Sequence, residues 1–274
     1  MNVVIGVLVV VVFTALAVTV MLLVRRSAPD GSYFADGDRA SGVFGVLATG
    51  FSVLLGFLIF LSFESYDDSR TGAEEEATVL VQQVETAQFM PAAVSERLTG
   101  ELVCYGRSVV NAEWRAMETG TLGDTVNPWG VAMFRTLETV DPRTATEQSA
   151  YDRWMDQTLA REQARITRIH GAEGIIPIPL WVIMFVIGGM LFVYMLFFAD
   201  SGERAVTQAV LMASVAVVVS FLLLILIFLD RPYGEGPGKL QPLAMERTLR
   251  LMDAVQEAVD LELTLPCDSD GTPR

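Results

Sequence analysis

Four stretches of this 274-residue chain, 1–24, 43–63, 175–199 and 205–229, contain no charged side chain. Each is about as long as a helix must be to cross ~30 Å of hydrocarbon. They predict an all-α, polytopic membrane protein with four transmembrane helices. The composition agrees, with 52% hydrophobic residues and a mean hydropathy of +0.44, above the ~45–50% apolar content of ordinary soluble domains.

The second stretch does not stop where its apolar run ends. Glu64, Asp67 and Asp68 follow Phe63 with no proline, and the next glycine is Gly72. One helix is therefore predicted to span the bilayer over 43–63 and to continue into water over 64–90, where Pro91 stops it. A heptad stripe of mostly small residues runs along the membrane part: Gly45, Thr49, Ser52 and Gly56, then Ile59 and Phe63. The same register continues through Tyr66, Arg70, Ala73, Ala77, Leu80 and Val84. Small residues let helix backbones approach closely in lipid, so the stripe is expected to face protein or a water-filled pore. Packing within one subunit and an axis shared between subunits both fit it. Ile59 and Phe63 would form a hydrophobic constriction, and Glu64, Asp67 and Asp68 an acidic ring just beyond it.

Residues 1–26 read as a retained first transmembrane helix closed by Arg25 and Arg26, since the apolar run is about twice too long for a signal peptide. A short polar loop covers 27–42. The segment 91–174 reads as a helical soluble domain, with Ser95 as a helix cap, a loop from Gly120 to Pro128, and helices at 129–140 and 144–169. Counted from Glu64 to Glu173 it is acidic, with 19 acids against 10 arginines; Glu74, Glu75 and Glu76 are expected to form a solvated face. Spans three (175–199) and four (205–229) form an antiparallel hairpin around a turn holding Asp200, Glu203 and Arg204. Residues 230–274 supply a turn, an amphipathic helix from Pro242 to Leu261, and a tail expected to be disordered.

Several chemistries lack their residues. The single histidine, His170, has no partner at ligand spacing, so no metal site or cofactor is expected, and nothing marks out a catalytic centre; the chain does not read as an enzyme. Gly234 to Lys239 imitates a phosphate loop but has Tyr233 at the first glycine and Leu240 in place of Ser or Thr. Cys104 and Cys267 cannot make a structural zinc site; a disulfide between them is possible but nothing in the sequence supports it, and both are expected to be free thiols. A formal charge of -14 argues against nucleic acid as a partner. Asp230 and Arg231, at the membrane edge, read as an interfacial ion pair or a cap.

The runs LLGFLIFLSFESYDDSRTGAEEEATVL, YGRSVVNAEW, RITRIHGAEGIIPIPLW and LDRPYGEG together resemble the bestrophin-like family of bacterial membrane proteins. The turn Asp230, Arg231, Pro232 and Gly234 carries the most specific part of the likeness, with Tyr233 and Glu235 where Phe and Gly are common. The resemblance implies an oligomeric ion channel, pentameric like bestrophins, with the second helix lining the pore and a cytoplasmic helical domain; lipid, ions and copies of the same chain would be its partners. Animal bestrophins pass anions, whereas the acidic ring favours cations. The alternative is a non-conducting scaffold or sensor whose acidic helical domain binds a partner protein. Arginines flanking the spans leave orientation open, because those after the first helix and those around the soluble domain point to opposite sides.

Overall fold

The computed structural model describes residues 3–120, 127–236, 238–258 and 263–274. Met1, Asn2, most of the predicted 120–128 loop, Pro237 within the phosphate-loop imitation, and the predicted end of the amphipathic helix at Leu261 lie outside these. Among the described residues the chain is all helical, and four helices are long and apolar enough to cross a membrane. It divides into two compact units.

The membrane unit comprises 1–64, 175–230 and 235–238. It contains α1 (Val3–Arg25), the first part of α2 (Gly37–Ala87), α7 (Ile178–Leu196) and α8 (Ala205–Asp230). The two α-α connections meet at one end: Arg25 donates to the carbonyls of Ser201 and Glu203, the Gly31 N–H donates to Asp200, and Ser201 donates to Asp30. Phe34, Phe44, Tyr194 and Phe198 pack ring against ring near them. At the other end the Asp230 carboxylate accepts the N–H groups of Ile175 and Ile176, both at 2.9 Å. Asp230 thus satisfies two part-buried backbone donors in the segment that leads into α7. Phe51, Leu55 and Leu58 of α2 pack with Met184, Leu191 and Leu226.

The helical unit comprises 65–174, 231–234 and 239–274. Beyond the second part of α2 it holds α3 (Ala92–Ser108), α4 (Trp114–Thr119), α5 (Pro128–Glu138), α6 (Ala145–His170) and α9 (Leu243–Ala258). α3 starts ahead of the expected Ser95 cap. Pro91 holds the N-cap position, and its carbonyl accepts from the N–H groups of Val94 and Ser95. Trp114 does not end the segment either: a π turn, Val109–Glu113, passes directly into α4, which closes on Gly120 at φ 68°. Thr144 and Glu147 form a reciprocal capping box for α6. The core joins Leu80, Leu98, Leu102, Trp114, Met133, Trp154 and Tyr233.

Two expectations are corrected here. Cys104 and Cys267 are not free; they form a disulfide with Cα atoms 5.8 Å apart. The tail is also ordered against the unit over 263–274. Trp129 Nε1 donates to the Gly271 carbonyl at 2.6 Å, Arg107 donates to the Asp268 carbonyl, and Cys267 and Pro273 bridge. Composition pointed to disorder, but the tail is held by partners far away in sequence.

Candidate pore helix and buried charge cluster

Two faces of α2 carry the chemistry. The buried face follows a 4-3 seam: Phe51, Leu55, Leu58, Ser62, Ser65, Ser69, Gly72, Glu76 and Gln83 are all buried. The neighbouring face carries the predicted stripe. Gly45, Thr49, Ser52 and Gly56 are exposed on the single chain, and a Cβ added to Gly45 or Gly56 would meet nothing within 4 Å. Ile59 is half-buried against the α7–α8 core, whereas Phe63, one turn on, is 53% exposed. Glu64, Asp67 and Asp68 are exposed too. Beyond the stripe, on the side of α2 away from the seam, stand Val46, Val53, Phe57 and Phe60, large exposed apolar side chains suited to lipid.

In the helical unit, the expectation that Glu76 belongs to a solvated face is wrong. Glu74 and Glu75 are exposed, but Glu76 is fully buried. It accepts from Arg168 Nε at 2.5 Å and from the Tyr105 hydroxyl at 2.5 Å. The other side of Arg168 donates to Glu113 at 2.5 Å, and Glu113 also accepts from Arg165 at 3.2 Å and from Asn127 at 2.9 Å. Glu113 is the buried last residue of the π turn, and single π turns inside helices are frequent at functional sites. Arg161, also fully buried, donates to Gln83 at 2.8 Å and lies over the Tyr105 ring at 4.8 Å.

Charge balance decides the protonation of this cluster. Burial alone would raise the Glu113 carboxyl, but Arg168 and Arg165 outweigh it and hold it below the usual range. Burial opposes charge on Arg168, and Glu76 and Glu113 overcome that, keeping the guanidinium charged. Burial, reinforced by Glu76, pushes the Tyr105 hydroxyl well up, so it stays a donor.

The post-span turn has a structural part in the same unit. Tyr233 is buried, raised by that burial, and donates to the Arg168 carbonyl at 2.5 Å; its ring meets Trp114 edge-on. The Pro232 carbonyl accepts from Leu240, and the Gly234 N–H donates to Arg231. Sequence reading missed Glu76, Glu113, Tyr105, Arg161 and Arg168 as a group. Part of the signal was present: stepping the apolar seam on from Leu58 by fours and threes lands on Glu76.

Four apolar helices and a helical unit with a buried ion cluster define a class, the four-span helical membrane proteins. Residues 11–237 match the bestrophin-like domain, and the chain belongs to that family. Among solved structures, two variants of a bacterial bestrophin homologue from Klebsiella pneumoniae are similar in fold. One is 15% identical with a TM-score of 0.68, over 89% of this chain and 98% of that one. The other is 13% identical with a TM-score of 0.68, over 93% and 98%. No curated protein matches the sequence.

Proposed function

We propose that the chain is a subunit of a homo-oligomeric ion channel, a pentamer on the bestrophin plan, with α2 lining the pore. The observation that carries this reading is the unused face of α2. The chain buries the Phe51–Leu55–Leu58 seam itself but leaves Gly45, Thr49, Ser52 and Gly56 exposed, with open space beside both glycines. A small, hydroxyl-bearing stripe is poorly matched to lipid and well matched to close packing or to water. Bacterial bestrophin homologues share the fold, which supports the same arrangement.

Along that face Ile59 and Phe63 form adjacent apolar rings suited to gating by dewetting. Asp67 follows one turn on, with Glu64 and Asp68 beside it, and each subunit adds its own carboxylates to the ring. Such a field attracts cations and repels anions. The channel therefore prefers cations. The test is the reversal potential in asymmetric salt, recorded for the purified protein in planar bilayers. Wild type should read cation-selective, and Asp67→Asn combined with Glu64→Gln should shift the potential towards zero selectivity. Chloride preference in wild type, or an unchanged ratio in the double variant, would remove the acidic ring from the mechanism.

A further inference from the structure

Cys104 lies on α3 and Cys267 in the tail, 163 residues apart, and both are fully shielded from solvent. Among the described residues no cysteine is free. The link fixes the segment whose further ties are the Trp129 bond to Gly271, the Arg107 bond to Asp268 and the Cys267–Pro273 bridge. Gly271 sits at φ 82°, and a Cβ there would fall 2.3 Å from the Ser108 nitrogen. The tail is thus seated closely on α3, with the disulfide as its covalent anchor.

Such a bond has a requirement about place. Cytosolic thiols are kept reduced, whereas disulfides form and persist in oxidising compartments. Joining the two cysteines releases one proton from each thiol and two electrons from the pair. A disulfide-bearing thiol oxidoreductase takes up the electrons and leaves as a dithiol, by exchange through a mixed disulfide. Burial then keeps reducing thiolates away from both sulfurs.

We infer that the helical unit and the C-terminal segment stand on the oxidising face of the membrane, outside the cytoplasm, where Cys104 and Cys267 are joined. The inference rests on the membrane-spanning reading and is independent of whether the protein conducts. It reverses the cytoplasmic placement that the family resemblance implies.

The arginines supply a second line. Positive charge in short loops and within about 15–20 residues of span ends marks the cytoplasmic side, and the first span usually dominates. The connection after α1 carries Arg25, Arg26 and Arg39, and the α7–α8 turn carries Arg204. These two loops are bonded to each other at one end of the membrane unit. Arg161, Arg165 and Arg168 weigh for the other side in a simple count, but they are engaged within the helical unit, Arg165 and Arg168 in buried ion pairs and Arg161 on buried Gln83. Arg70, Arg231, Lys239 and Arg247 also lie near span ends on that side, so the weight rests on the first span, which is followed by Arg25 and Arg26 and preceded by no basic residue.

Paired cysteine labelling tests the placement in the full chain. Ala35→Cys puts a thiol in the exposed α1–α2 connection, and Arg135→Cys puts one on the exposed surface of α5. Intact cells are treated with a charged, membrane-impermeant maleimide. The Arg135→Cys thiol should label at once, and the Ala35→Cys thiol only after the cells are permeabilised; the opposite pattern overturns the inference. In wild type, acid-quenched cells are alkylated under denaturing conditions, then reduced and tagged with a polymer maleimide. The expected result is a gel shift of two tags that appears only after reduction. Alkylation of both cysteines before reduction also overturns it. Neither outcome bears on conduction, which the reversal potential decides separately.

Discussion

Removing the Arg168 side chain would leave Glu76 and Glu113 buried without their principal cation. Breaking a buried ion pair on one side costs about 3–5 kcal/mol, because an uncompensated charge remains in the interior. Arg168→Leu should therefore lower the thermal midpoint of the helical unit sharply, read by circular dichroism of the purified protein. Adding Glu76→Gln and Glu113→Gln should recover part of the loss, since neutral amides need no counter-charge. The same residues set the acid response. Glu113 is depressed in the folded state, so its contribution is complete above the unfolded carboxylate pKa and is lost as pH falls through the folded value. Glu101 behaves oppositely: burial outweighs its bonds from Thr136 and Arg97 and raises it. Its contribution is complete below the unfolded pKa and is lost as pH rises through the folded value. A pH series of melting midpoints should show Glu113→Gln flattening the acid limb and Glu101→Gln flattening the decline above it.

At the scale of the element, α2 holds two glycines with opposite environments. A Cβ on Gly72 would lie 2.5 Å from the Arg168 nitrogen and 2.8 Å from the Ala164 carbonyl oxygen. The α2 and α6 backbones meet there, and no flexible side chain can give way. Gly72→Ala should destabilise the helical unit by about 1–3 kcal/mol, the usual range for overpacking. Gly56 has open space on the single chain. Gly56→Leu should leave the subunit's own melting intact but disrupt its oligomer on a sizing column or in cross-linking. An unchanged oligomer would place Gly56 against lipid. Comparing the two variants separates a glycine needed inside the subunit from one needed between subunits.

For the whole molecule, the disulfide closes a loop that takes in most of the helical unit, and cross-links of long loops constrain the unfolded chain most. Cys104→Ser with Cys267→Ser should cost about 2–5 kcal/mol, the usual figure for losing a native bridge in a small domain. Limited proteolysis should then cut within the tail, which is protected in wild type. The loss belongs to the helical unit, so oligomer formation through α2 should survive it.

The sequence by itself determined the four spans and the helical continuation of the second, because hydrophobicity, charge and helix breakers act locally and add along the chain. It also carried the seam that passes through Glu76, legible once the Phe51–Leu55–Leu58 register is extended by fours and threes. Only the tertiary structure decided that Glu76 meets Arg168 92 residues away, that Glu113 meets the same guanidinium, and that Cys104 finds Cys267. These contacts join residues distant along the chain, and a polar side chain carries no local mark of whether its partner will be water or a buried opposite charge.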